Sequence, residues 1–365
     1  MYREQSRISR LSGIAVLGWT VGFFMAVIAT PAAQAQYTVL YNFSGGADGA
    51  NPFVGVTLDS GGNIYGTAYA AGGGYGTVFK LTHKGSGWGL NPLYSFKGKG
   101  ANDGAGPNAS IVIGPDGILY GSTIAGGGNE DPYCQVYGGY LGCGTVFSLR
   151  PSPTRQETPL SPWTETLLHL FTFDPDGAYP LNSMVFDQAG NLYGTGANGG
   201  YISGVVWELS PSGSGWNEQA IYTFTGLNGG DGGYPEGGVT FDSEGNLYGT
   251  TSEYGHTIEG CCGAVFQLVP SESGWTENTL YDFTDGDDGS TPYGGVIADS
   301  AGNLYGTTYL DGRYGWTYAS IHDFTGGTDG AAPRCGLVFD SSGNLYGTTS
   351  IGGANGYGVV FRLVP

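Results

Sequence analysis

Residues 48–67 read DGANPFVGVTLDSGGNIYGT, and this phrase returns along the chain at constant internal spacing. An Asp-Gly pair stands four residues before a Pro, and that Pro stands thirteen residues before a Tyr-Gly pair. The aspartates are Asp48, Asp103, Asp176, Asp231, Asp288 and Asp329. The prolines are Pro52, Pro107, Pro180, Pro235, Pro292 and Pro333, and the tyrosines Tyr65, Tyr120, Tyr193, Tyr248, Tyr305 and Tyr346. Six copies without an insertion are internal self-similarity, the sequence signature of a repeat architecture.

Each unit holds four short runs with strand character. In the first, residues 54–58 follow the Pro, and an Asp-x-x-Gly-Asn turn leads into Ile64, Tyr65, Gly66 and Thr67. A Gly-rich loop precedes residues 76–81, and a polar turn ending in Trp88 precedes residues 93–96. Period-2 alternation and enrichment in β-branched and aromatic residues mark all four as strands. Four antiparallel strands in a unit of this length predict an all-β, six-bladed β-propeller. The stretch 37–43 looks like a fourth strand without its predecessors, and 358–363 like a third strand without a successor. Pairing the two would complete the last blade and close the ring, removing both exposed edges. The fifth unit lacks its G-T-V-F-x-L run between Tyr305 and Trp316, so that blade is expected to be one strand short.

The first 35 residues differ from the rest. Arg3, Arg7 and Arg10 precede an apolar run, and Ala33-Gln34-Ala35 has the form of an A-x-A cleavage site. Residues 1–35 are read as a secretory signal peptide, with 36–365 as a single propeller domain that is soluble, monomeric and secreted, periplasmic or cell-surface. No second apolar run of spanning length follows. With 12 basic against 31 acidic residues and a net charge of −19, the surface repels phosphate backbones and anionic membrane, which removes nucleic acid as a partner.

In an antiparallel four-strand meander, the Asp-Gly-x-x-Pro segments and the Gly-rich loops share one end of each blade. Loops of varied length on a rigid scaffold are where binding sites gather. The six aspartates are read chiefly as turn residues, Asp bonding backbone amides and Gly supplying an unusual φ. The alternative is cation binding, best at Asp285, Asp287 and Asp288, where a hard cation such as Ca2+ would find several oxygens. No other cofactor is predicted. Aromatic platforms beside carboxylates suit carbohydrate, which makes Tyr133, Tyr137, Tyr140, Tyr201, Tyr254 and His256 the candidate ligand-binding residues. Cys134 and Cys143 bracket one long loop and are expected to form a disulfide in an oxidising compartment; the pairing of Cys261, Cys262 and Cys335 stays open. No catalytic residue is assigned, because neither G-x-S-x-G nor H-E-x-x-H is present. His83, His169, His256 and His322 are read as occupying different repeat positions.

The run from Gly62 to Leu81, with copies ending at Leu149, Leu209, Leu268 and Leu363, resembles the GloVer tandem repeat of "choice-of-anchor" bacterial proteins. That resemblance implies an exported, surface-associated repeat protein and no established activity. The chain stops at Pro365 without a C-terminal sorting signal, which is a departure from that pattern. The D-x-x-G-N-L-Y turn is also similar to hairpins of NHL and lactonase-type propellers. Two functions follow as expectations. One is a non-catalytic extracellular propeller that binds polysaccharide or a protein partner. The other is a metal-dependent hydrolase, lactonase or lyase acting on extracellular carbohydrate.

Overall fold

The computed structural model describes residues 36–70, 74–98, 103–128, 132–134, 141–152, 163–200, 203–255, 262–284, 290–298, 304–305, 325–331, 338–342 and 344–364. The expected signal peptide lies outside them. Ala35–Pro365 is one compact unit.

The repeated phrase acts locally before it acts globally. Asp59 accepts backbone N–H bonds from Gly61 and Asn63, both at 2.9 Å, while the Asn63 amide returns to it at 2.8 Å. The Tyr65 hydroxyl reaches the same carboxylate at 3.2 Å. Asp187, Asp242 and Asp340 hold Asn191, Asn246 and Asn344, with Tyr193, Tyr248 and Tyr346, in the same way. One carboxylate thus satisfies the turn amides and pins the following strand, the Asx-type turn that Asp and Asn favour.

The Gly after each Tyr is there for contact. A Cβ on Gly66 would lie 2.6 Å from Phe79, on Gly121 2.4 Å from Phe147, on Gly194 2.3 Å from Trp207 and on Gly249 2.4 Å from Phe266. The aromatic ring of the paired strand lies against that backbone, and all four rings are fully buried. Each such ring removed from water contributes roughly 1.5–3 kcal/mol.

Among the described residues the strands form six separate sheets. The first comprises Thr57–Leu58, Ile64–Ala68, Thr77–Lys84 and Gly87–Ser95. The second has five strands: Gly104–Pro107, Val112–Ile113, Leu119–Gly126, Thr145–Arg150 and Thr164–Leu170. The third holds Ala178–Phe186, Leu192–Asn198, Val205–Ser212 and Gly215–Thr223, and the fourth Thr240–Phe241, Leu247–Thr251, Ala264–Ser271 and Gly274–Asp282. In the fifth, Ile297–Ala298 pairs Leu304–Tyr305. The sixth joins Val338–Phe339, Leu345–Thr349 and Val359–Val364 to Gln36–Asn42, so that the first strand pairs the last, with Thr38 opposite Arg362.

Neighbouring sheets meet through side chains and single backbone bonds. The Phe closing one outer strand packs on an aromatic of the next sheet, as in Phe96 on Phe147 at 5.1 Å and Phe224 on Phe266 at 5.1 Å. The Thr or Ser after the Tyr-Gly pair donates to the following sheet, Thr67 to the Ala109 carbonyl at 3.1 Å and Thr195 to that of Gly237 at 3.0 Å.

The expectation of a closed ring of six four-stranded blades is therefore corrected. Among the described residues no sheet closes into a ring or curls; β-pairing ends at each sheet's outer strand, and strand counts run from two to five. The pairing of Gln36–Asn42 with Val359–Val364 completes one sheet only. The physical reason lies in the Asp-Gly-x-x-Pro segment. Its Pro has no N–H to give a ladder, and the residue before it is left-handed at Asn51, Tyr179, Tyr234 and Thr291. Each such segment leads from the outer strand of one sheet to the first strand of the next, where Pro107 and Pro180 still stand opposite Thr123 and Gly196. The strand expected to be missing from the fifth repeat falls in 306–324, outside the described residues. No described helix is long and apolar enough to cross a membrane.

Candidate metal centre

The aspartates of the Asp-Gly pairs take up backbone and side-chain donors. Asp48 accepts from the Tyr41 hydroxyl at 3.0 Å and the Ser44 amide at 2.7 Å. Asp103 accepts from Tyr94 at 3.0 Å and the Lys97 amide at 2.8 Å, and Asp231 from Tyr222 at 2.8 Å and the Thr225 amide at 3.0 Å. Asp329 accepts the Thr325 amide at 2.9 Å. Asp288 lies outside the described residues, as do Asp285 and Asp287.

Asp176 differs in its partner. The residue two before the closing Phe is Tyr41, Tyr94, Tyr222 or Tyr281 in four repeats, and His169 takes that place here. A register shift between Leu167 and His169 in the pairing of Thr164–Leu170 with Thr145–Arg150 aims the imidazole at the turn. Its Nε2 lies 2.9 Å from Asp176 Oδ2. From the neighbouring sheet, Glu218 on Gly215–Thr223 brings a third donor, and the ligand atoms of His169, Asp176 and Glu218 all lie within 4.8 Å of one another. Glu218 Oε1 is buried and has no hydrogen-bond partner in the structure.

The electrostatics fit a site short of positive charge. Burial alone would raise the Asp176 pKa, but bonds from His169 and Thr172 outweigh it and hold the carboxylate below its ordinary value. Glu218 is pushed up to about 7, first by burial and then by the Asp176 charge, with His169 opposing. The same carboxyl pairing recurs at two other sheet junctions. Glu165 rises to about 7 through burial and Asp103, and Glu277 rises through burial, with Asp231 adding to it. There the third group is a tyrosine, Tyr94 or Tyr222, which is a poor ligand for a divalent ion. At the junction of Asp329 the third-donor position is Tyr37, not Glu, although His322 stands where His169 does. Among the described residues only the Asp176 junction combines His, Asp and Glu.

Three donors around a cation suit a site with an open position for water or substrate. Bonds of about 2.1 Å in tetrahedral array place donors roughly 3.4 Å apart. Against that spacing the His169–Asp176 pair, at 2.9 Å, would open by about half an ångström, and Glu218, within 4.8 Å of both, would close by up to about 1.4 Å. An imidazole with two carboxylates suits zinc or manganese better than calcium, which takes six to eight oxygens.

Of the tyrosines expected to bind ligand, Tyr133 and Tyr254 are among the described residues. Tyr133, in the turn Pro132–Cys134, is 73% exposed and stacks on Phe173 at 5.2 Å. It sits beside the Cys134–Cys143 disulfide, whose Cα atoms are 4.9 Å apart. Phe173 and Asp176 belong to one loop, so Tyr133 flanks the loop that carries the candidate ligand. Tyr254 follows Leu247–Thr251 and pairs with Tyr234, ring centroids 5.5 Å apart. Tyr137, Tyr140, Tyr201 and His256 lie outside the described residues.

The reading that the four histidines hold different repeat positions is corrected: His169 and His322 are equivalent. The signal was a substitution within the repeat. Aligned on the closing Phe, the six units have His in place of Tyr in two copies, and of these only His169 is followed by a Glu, Glu218, in the next.

The fold and cluster define an all-β repeat protein with a candidate divalent-cation site. Residues 133–316 match the Gloeobacter/Verrucomicrobia repeat, and the chain belongs to that family. No curated protein matches its sequence. Among solved structures it is similar to an α-L-arabinofuranosidase from Lactobacillus brevis, at 11% identity over 73% of this chain and 88% of that one, TM-score 0.40. It is also similar to a family 117 glycoside hydrolase from Zobellia galactanivorans, at 12% over 90% and 89%, TM-score 0.40. A Trypanosoma rangeli sialidase matches at 12% over 86% and 55%, TM-score 0.45. Likenesses this weak support no statement about this chain's activity.

Proposed function

We propose that the protein is a divalent-cation-dependent hydrolase acting on extracellular carbohydrate. The observation that supports this most is the convergence of His169 Nε2, Asp176 Oδ2 and the Glu218 carboxyl at one sheet junction. A cation held by these three groups would lower the pKa of a bound water toward neutrality and supply a nucleophile. Around it, Asp176 keeps its charge through bonds from His169 and Thr172, and the buried, unpartnered Oε1 of Glu218 gains a partner. Carbohydrate is the substrate class because Tyr133 presents an exposed ring on the loop that carries Asp176. A sugar's apolar face stacks on such a ring.

The test is release of reducing ends from a panel of bacterial and plant polysaccharides. Turnover should vanish in EDTA, return with zinc or manganese, and be absent in His169→Ala. Turnover that survives both chelation and His169→Ala, or no turnover on any polysaccharide, overturns the proposal.

A further inference from the structure

The fourth repeat departs from its siblings at three neighbouring positions. Glu236 follows Pro235, where the other repeats place Phe53, Asn108, Leu181, Tyr293 and Arg334. Glu253 stands five residues after the repeat Tyr, where others have Ala70, Ala125, Asn198 and Ile351. Tyr254 comes next, at φ 60°, where Gly126, Gly199 and Gly352 hold φ of 92°, 86° and 76°. The second, third and sixth repeats use glycine for a left-handed backbone; this one sets a large ring there.

Hydrogen bonds bring these residues to one end of the fourth sheet. Gly233 and Glu253 exchange backbone bonds at 2.8 and 3.2 Å. The Ser252 amide and hydroxyl both donate to the Tyr234 carbonyl, at 3.0 and 3.1 Å. The Tyr234 and Tyr254 rings lie 5.5 Å apart at 41°, and the Asn182 amide bonds the Glu236 carbonyl at 2.8 Å and that of Tyr293 at 2.9 Å. Glu253 is exposed, and Tyr234, Tyr254 and Glu236 are part-exposed. Burial, with the Glu253 charge adding to it, pushes Glu236 up to about 7.

We propose that Tyr234 and Tyr254, with Glu236 and Glu253, form a binding site for a neutral oligosaccharide, separate from the His169 cluster and independent of any cation. A sugar ring would stack on the outer face of the tyrosine pair while its hydroxyls donate to the Glu253 carboxylate and exchange bonds with Glu236. The ring spacing favours this ligand over an organic cation. At 5.5 Å between centroids nothing fits between the rings, so they form a platform and not the cage that encloses a quaternary ammonium. Residues shared by every repeat solve a common folding problem, whereas Glu236, Glu253 and Tyr254 each occur in one repeat, and Tyr234 has its counterpart only in Tyr179.

The experiment is titration calorimetry in EDTA with cello-, xylo- and arabino-hexaose, and with tetramethylammonium as the contrasting probe. Tyr254→Gly installs the residue that three other repeats carry, so the fold should survive, as thermal melting will show. It should weaken binding of the preferred hexasaccharide at least tenfold, Tyr254→Phe should stay within about threefold, and His169→Ala should bind as wild type. Unchanged affinity in a folded Tyr254→Gly, binding of tetramethylammonium alone, or no hexasaccharide binding at millimolar concentration overturns the proposal. Failure of His169→Ala to abolish hydrolysis bears on the cation reading only.

Discussion

His169→Tyr separates the role of His169 in folding from its role in holding a cation. Tyrosine is what four repeats carry at this place, and its hydroxyl reaches the turn aspartate at 3.0 Å in Tyr41, 3.0 Å in Tyr94 and 2.8 Å in Tyr222. His169 makes the corresponding bond at 2.9 Å. One hydrogen bond replaces another of equal length, so apo stability should change by less than about 1 kcal/mol. The loss falls on the cation, because two carboxyls remain where three donors stood. At a free cation concentration of about 100 Kd, wild-type protein gains about 2.7 kcal/mol. Spread over the unfolding entropy of a unit this size, that is a rise in Tm of roughly 3–5 °C. Differential scanning calorimetry with and without zinc reads both quantities. The variant should melt near apo wild type and show no zinc-dependent rise. An equal rise in wild type and variant, or none in wild type, refutes the reasoning.

Gly194→Ala should destabilise the chain by about 1–3 kcal/mol, since the new Cβ would lie 2.3 Å from the fully buried Trp207; urea unfolding measures it, and a change under about 0.5 kcal/mol contradicts the ring-on-glycine account. The raised pKa of Glu236, from an ordinary 4.5 to about 7, means the folded chain keeps a proton that the unfolded chain has released. Its contribution is complete below about pH 4.5 and is lost as pH rises through 7, by at most about 3 kcal/mol and by less where solvent screens the group. Glu236→Gln should therefore flatten the fall in stability between pH 5 and 8, and parallel profiles for variant and wild type count against it. Cation binding should release protons near neutral pH, because Glu218 must ionise to ligate; calorimetry in buffers of different ionisation enthalpy detects this, and identical heats in all buffers contradict it.

The local structure was legible in the sequence because its causes are local. Asp59, Asn63 and Tyr65 form their network within seven residues, and the Gly66 contact with Phe79 crosses one strand pairing. The placement of strands and turns follows from such rules. What the residues did not determine was how the ladders end, since a closed ring asks for relations between sheets that no repeat states. The candidate metal centre escaped for a similar reason. Its ligands come from the outer strand of one sheet, the turn after it and the outer strand of the next, so no short motif spans them. The aspartates shared by every repeat mark the turn, and the copy in which His169 and Glu218 change its chemistry differs from its siblings at single positions in two separate repeats.

The most direct test of the central claim is anomalous diffraction from crystals soaked in zinc or manganese. A peak is expected between His169 Nε2, Asp176 Oδ2 and the Glu218 carboxylate, with each bond about 2.1 Å long as such ions require. Crystals that show no peak there, or ions bound only at other carboxylates, contradict the claim.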